Sequence, residues 1–188
     1  LTLSFILFSS IAICQTTVGL RGGLNLANLY STDGETSASG DLMTAFHGGI
    51  YIENKQSMEY ALQYEFILSQ QGTSFDVGSR EIKQQLYYLN IPFLFKYLPN
   101  KLVGLYAGPQ LGILVATNKI DGQDFKEAMK PIDFAAVFGL EFDLKQIKIG
   151  GRYNLGLSNI DDTEFADTYD IRTNNRVTQI YLAVPFNN

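Results

Sequence analysis

The stretch MEYALQYEFILS, Met58 to Ser69, decides the fold. Met58, Tyr60, Leu62, Tyr64, Phe66 and Leu68 fall on one face at period two. Glu59, Ala61, Gln63, Glu65, Ile67 and Ser69 fall on the other. Successive side chains of a strand point to opposite sides, whereas a helix would scatter both sets around its circumference. The segment reads as a strand with one large apolar face and one polar face.

The same alternation recurs along the chain. Val18, Leu20, Leu24 and Leu26 oppose Arg21, Gly23 and Asn25, and Phe46, Ile50 and Ile52 oppose His47, Tyr51 and Glu53. Tyr87, Leu89, Ile91, Phe93 and Phe95 face away from Asn90 and Lys96. Leu105, Leu111, Ile113 and Val115 oppose Tyr106, Gln110 and Gly112; Phe134, Phe138, Leu140 and Phe142 oppose Asp133, Glu141 and Asp143. Ile147, Ile149, Tyr153, Leu155 and Leu157 oppose Lys148, Arg152, Asn154 and Ser158. Ile180, Leu182, Val184 and Phe186 close the series against Gln179 and Tyr181. These make eight strands of about 9–14 residues, against about 9–11 for a tilted transmembrane strand and 5–6 for an ordinary one.

The connections alternate too. Long polar segments at Ser31 to Asp41, Gly72 to Glu81, Asn118 to Lys130 and Asn159 to Asn174 are separated by tight turns near Asn54, Pro99 and Asp143. Short periplasmic turns and long external loops are the pattern of an outer-membrane barrel, and an even strand count returns both termini to one side.

Composition agrees. Of 188 residues, 46% are hydrophobic and only 18% charged, with 11 Tyr, 13 Phe, no Trp and 17 Gly. The net charge of −5 supplies no basic stripe for nucleic acid. Cys14 is the single cysteine, so no intrachain disulfide and no cysteine metal site can form. Leu1 to Ile13 is an apolar core, and Ala12 and Cys14 place small residues at −3 and −1 of a cut before Gln15. We expect an N-terminally truncated export signal over 1–14 and a barrel domain over 15–188.

Alternation by itself does not say which face is buried. A soluble lipocalin-like carrier turns its apolar face inward, whereas a membrane barrel inverts that polarity. Eight large apolar faces would overfill a small interior, and the polar faces mix glycines with isolated charges. Tyr60, Tyr64, Tyr87, Tyr97 and Tyr153 are expected as interfacial girdles. The expected fold is therefore all-β, an eight-stranded antiparallel up-and-down transmembrane β-barrel. Arg21, His47, Glu53, Glu59, Glu65, Lys96, Asp133, Glu141, Lys148 and Arg152 then fill the lumen as a paired charge network. Pro92 and Pro109 remove ladder donors and predict local bulges or bends, and Gly108 and Gly112 make room for lumen side chains.

Six blocks carry a family resemblance: GLRGGLNLANL at Gly19 to Leu29, FILSQQG at Phe66 to Gly72 and YYLNIPFLFKY at Tyr87 to Tyr97, then LYAGPQLGIL at Leu105 to Leu114, GGRYNLGLSNI at Gly150 to Ile160 and NRVTQIYLAVPF at Asn175 to Phe186. On these the chain resembles the outer-membrane β-barrel family common in Bacteroidetes, described as porin-like or PorT-like. The resemblance implies a fold and a location in the cell outer membrane, and no activity. The apolar alternating final strand, ending on Phe186, is similar to the signal read by the barrel-assembly machinery.

The search for chemistry yields little. His47 is the single histidine, and Ser37, Ser39 and Ser69 form no GxSxG motif with it. Asp161, Asp162, Glu164, Asp167 and Asp170 make the last long loop acidic. Asp161, Asp162 and Glu164 are the weak candidates for a metal; no cofactor is expected. The expectation is a non-enzymatic, monomeric barrel with a polar, plugged lumen, in contact with outer-membrane lipid and lipopolysaccharide, its loops serving interaction or envelope integrity. A narrow transport pore or secretion-system component, and a soluble carrier of a hydrophobic ligand, stand as alternatives.

Overall fold

The computed structural model describes residues 15–77, 80–120, 123–124, 126–163, 166 and 168–186. The expected signal, the whole of 1–14, lies outside the described residues, as do Glu164 and Asp167. Eight long strands form the wall: β1 Gln15–Thr32, β2 Met43–Lys55, β3 Tyr60–Val77, β4 Arg80–Tyr97, β5 Val103–Thr117, β6 Ile132–Asp143, β7 Lys148–Gly156 and β8 Arg172–Pro185. Each pairs antiparallel with its sequence neighbours, and β8 pairs back onto β1 from Gly19↔Pro185 to Thr32↔Arg172, which closes the barrel. A ninth, short strand, Ser37–Ser39, adds to β1 beyond the barrel wall. Closure leaves the barrel wall no free sheet edge, so its backbone donors and acceptors are met within the sheet.

Burial decides the polarity that alternation left open. Leu68 and Phe138 on the outer face are 62% and 53% exposed, whereas Glu65 and Lys96 on the inner face are 0% and 1% exposed. The apolar faces point outward on all eight strands, and the buried charges point inward. A soluble carrier has the opposite arrangement.

One connection differs from the reading of the sequence. The polar residues from Gly72 to Val77 and Arg80 to Glu81 are strand, not loop: β3 and β4 continue in register to Val77↔Arg80. Beyond the apolar belt a hairpin needs backbone pairing only, so polar composition there does not interrupt the ladder. Gly72, at φ 128°, supplies a conformation that side chains rarely adopt where it faces Gln85. The prolines do not shift the register either. The β3–β4 ladder skips Glu65 and Phe66 opposite Pro92 and resumes in phase, while the bulge of β4 against β5 falls at Tyr87/Tyr88.

At the short-turn end Tyr60 packs against Phe95 and Tyr97, with ring centroids 5.4 and 5.5 Å apart. Tyr97 ends β4, but Tyr64, Tyr87 and Tyr153 sit inside β3, β4 and β7, so the expected girdle is only partly at strand ends. The long-loop end is tied together. Asp41 bridges to Ser74, and Met129 bridges to Asp161. Asp33 accepts from Thr36 and Glu35, which holds its carboxyl below the usual range.

Candidate functional site

An eight-stranded barrel has an interior just wide enough for side chains, so every inward charge must find its partner across the lumen. Near the short-turn end, Lys96 Nζ donates to Glu53 Oε2 at 2.6 Å, Glu141 Oε1 at 2.7 Å and Gln63 Oε1 at 2.8 Å. Lys148 Nζ reaches Glu53 Oε2 at 3.0 Å and lies 3.6 Å from Glu141 and 3.7 Å from Asp143. One layer further in, Arg21 pairs with Glu65 and, at 3.2 Å, with Glu141. Arg152 Nη1 donates to Glu65 Oε2 at 2.7 Å while its Nε donates to Gln179. The ion pairs of Arg21 and Lys96, with Lys148–Glu53 and Arg152–Glu65, join strands that are not neighbours in the sheet, so the network braces the barrel across its width. Removing one partner of such a pair is far more damaging than never having had the pair.

Three tyrosines fill the space between the charges, and each stands over a glycine directly opposite it in the ladder. Tyr51 faces Gly19, Tyr106 faces Gly139 and Tyr181 faces Gly150. A Cβ at any of the three glycines would run into the opposing ring. The rings can therefore lie against the wall instead of projecting across the lumen. Tyr106 and Tyr181 join hydroxyls at 2.8 Å, Tyr181 donates to Glu141 at 2.9 Å, and the Arg21 guanidinium stacks 3.7 Å over the Tyr181 ring. Gly150→Val is expected to displace Tyr181 and cost about 1–3 kcal/mol as an overpacked interior does. Its urea midpoint in lipid, set beside that of outward-facing Gly151→Val, checks this.

Above this network the lining is mostly uncharged, with Asp133 the exception. His47 Nδ1 donates to Asn25 Oδ1 at 2.7 Å, as does Gln179 Nε2 at 2.7 Å. Asn25 Nδ2 donates to Ser69 Oγ at 2.9 Å and to the Gln70 carbonyl at 2.6 Å. Asp133 accepts from Ser158 Oγ and Asn175 Nδ2, both at 2.8 Å. Higher still, Leu29, Leu86, Tyr88, Leu114 and Ile160 form an apolar cluster with Met129 against it. Ile160 comes from the 157–171 loop and is fully buried; Lys130 N donates to its carbonyl at 2.8 Å, and Asp162 N donates to Ala128 at 3.0 Å. Two long loops thus meet over the mouth.

Of the ten residues expected in the lumen network, Arg21, Glu53, Glu65, Lys96, Glu141, Lys148 and Arg152 are brought together. His47 and Asp133 face the lumen but sit above the charge layer with uncharged partners. Glu59 is a correction: it lies in the exposed 56–59 turn before β3 begins at Tyr60, so the period-two pattern of Met58 to Ser69 starts before the strand does. Gly112 does make room, for Asn90, Tyr88 and Asp133, whereas Gly108 lets the β4 backbone approach closely. Asp161 Oδ1 is engaged by Thr163, through its N at 3.0 Å and its hydroxyl at 2.7 Å, and no metal-holding cluster occurs among the described residues. The tyrosine–glycine pairs and the carboxamides Gln63, Asn25 and Gln179 were not read as site residues. Their signal is a glycine opposite a tyrosine, visible only once register is known.

Comparison with known families finds that residues 15–162 match the model of the outer membrane protein beta-barrel domain. No curated protein matches the chain. Among solved structures, the chain is similar to Ail, the attachment invasion locus protein of Yersinia pestis, solved in complex with the heparin analogue sucrose octasulfate. That match has 14% identity and a TM-score of 0.53, and covers 91% of this chain and 99% of Ail. Neisserial surface protein A is similar at 12% identity and a TM-score of 0.51, covering 90% of this chain and 96% of that one. At such identities the likeness concerns the fold.

Proposed function

The chain belongs to the outer membrane protein beta-barrel domain family, and from that membership we propose that it is a non-enzymatic, monomeric barrel of the cell outer membrane with a plugged lumen. The observation that carries the reading is the braced network of Arg21, Lys96, Lys148 and Arg152 with Glu53, Glu65 and Glu141, all buried across a barrel whose outer face is apolar. Charges paired in this way occupy the path an ion would take. The long loops then carry interaction or envelope integrity at the external surface, beside lipid and lipopolysaccharide. Asp33, Glu35, Asp41, Asp162 and Asp170 are exposed on those loops, so a polysulfated ligand such as that of Ail does not carry over to this chain. An export signal over 1–14, recognition of the last strand by the barrel-assembly machinery, a Gram-negative source and a place in the porin-like or PorT-like branch of Bacteroidetes belong to the same reading.

The experiment is fractionation followed by gel mobility with and without boiling, then planar-bilayer recording on the purified chain. A heat-dependent shift in the outer-membrane fraction and no discrete conductance steps are expected. Stable single-channel steps would instead support the transport alternative, and a soluble, non-shifting product would remove the membrane reading altogether.

A further inference from the structure

The outward face of β8 is uncharged over most of its length. Val184, Leu182, Ile180 and Thr178 stand on the lipid-facing wall, with Leu24 and Leu26 beside them on β1. Arg176 breaks that face. It alternates with buried Asn175 and Val177, so it points outward, and its ladder partners are Asn28 on β1 and half-buried Leu155 on β7. From Phe186, 63% exposed at the opposite rim, the strand climbs to Arg176 by about 25 Å, taking about 3.3 Å per residue and a tilt of about 40°. That is the height of the apolar band on such barrels, so Arg176 stands at headgroup depth on the long-loop side.

A charge at the edge of an apolar wall calls for a counter-charge, and the barrel does not supply one. The Arg176 Cζ lies 3.5 Å over the Tyr30 ring, and Nε is buried without a hydrogen-bond partner. No carboxylate pairs with the guanidinium among the described residues. Asp170, the acidic residue nearest to it in sequence, is 3.6 Å from Arg172. Stacking on Tyr30 fixes the plane of the fork and leaves its outer nitrogens to the surroundings. Two outward carboxamides flank it: Asn28 Nδ2 donates to Ser39 Oγ at 2.7 Å, and Asn174 Nδ2 to the Ser158 carbonyl at 2.8 Å. Neither Oδ1 accepts a bond among the described residues, so both can accept from hydroxyl groups. The set suits a phosphate for the fork and sugar hydroxyls for the carboxamides, on an apolar tail lying along Ile180 and Leu182.

We infer that Arg176, held on Tyr30 at the seam of β8 and β1, seats the phosphate of an outer-leaflet glycolipid headgroup, that of lipopolysaccharide. The site rests on the reading above, of an outer-membrane barrel with its long loops outside. It turns general contact with lipid into one fixed position on the wall, where strand closure brings Asn28 and Tyr30 beside Arg176 and Asn174.

The test places the full chain in phosphatidylcholine nanodiscs doped with lipid A or, separately, with phosphatidylglycerol, and counts retained lipids by native mass spectrometry. The parent should retain lipid A, and Arg176→Gln should lower that retention about tenfold, as the loss of one charge-assisted pair implies. Arg172→Gln, in an exposed ion pair, should change it by less than about twofold. Arg176→Lys should fall between, because it keeps the charge and loses the planar fork. Lipid A stripped of its phosphates should bind the parent as poorly as intact lipid A binds Arg176→Gln. Unchanged lipid A retention in an Arg176→Gln protein that keeps its heat-dependent gel shift overturns the site. Equal retention of phosphatidylglycerol by the parent overturns the glycolipid assignment. A chain that never enters the discs overturns the membrane reading itself, which separates that failure from the other two.

Discussion

Glu141→Gln is expected to destabilise the barrel by about 3–5 kcal/mol, the loss found when one partner of a buried ion pair is removed. Glu141 accepts from Lys96 at 2.7 Å, from Tyr181 at 2.9 Å and from Arg21 at 3.2 Å, and lies 3.6 Å from Lys148. The amide keeps the shape of the side chain and deletes its charge. Four buried cations would then share Glu53, Glu65 and the partly exposed Asp143. The urea midpoint for loss of heat-modifiable mobility in liposomes reads the effect. Glu59→Gln, in the exposed turn, is the control and should stay within about 0.5 kcal/mol. A Glu141→Gln protein as stable as its parent would mean that the network does not brace the barrel.

Phe138→Arg is expected to cost about 2–4 kcal/mol, as a charge on the lipid face near the bilayer midplane does. Phe138 is central in β6 and points outward, flanked in the ladder by Tyr153 on β7 and Ala107 on β5. The same substitution at Leu144, in an exposed short turn, should cost little, because the side chain reaches water. The pair is read by folding yield into vesicles and by the urea midpoint. Equal tolerance at both positions would argue that the outer face of β6 does not meet lipid.

The strands were legible because period two is imposed by the backbone itself. Leu20, Phe46, Phe66, Phe138 and Ile180 all stand on the face that their alternation assigned. Seven of the ten expected charges meet in one network for the same reason: in a narrow closed sheet, every second residue has only the lumen to enter. Alternation was less informative at its ends. It did not show that Glu59 precedes the strand or that the hairpin continues through Gly72 to Glu81, because a ladder stops where pairing stops, not where polarity changes.

The sequence by itself therefore determined the strand count, the short turns, and which residues share a face. Each of these follows from local geometry and chain order. Only the tertiary structure decided which face is inside, since both polarities satisfy the same pattern. It also decided which charges pair, and that Gly19, Gly139 and Gly150 seat Tyr51, Tyr106 and Tyr181. Contacts between residues far apart in sequence depend on register and closure, and those are set by all eight strands together.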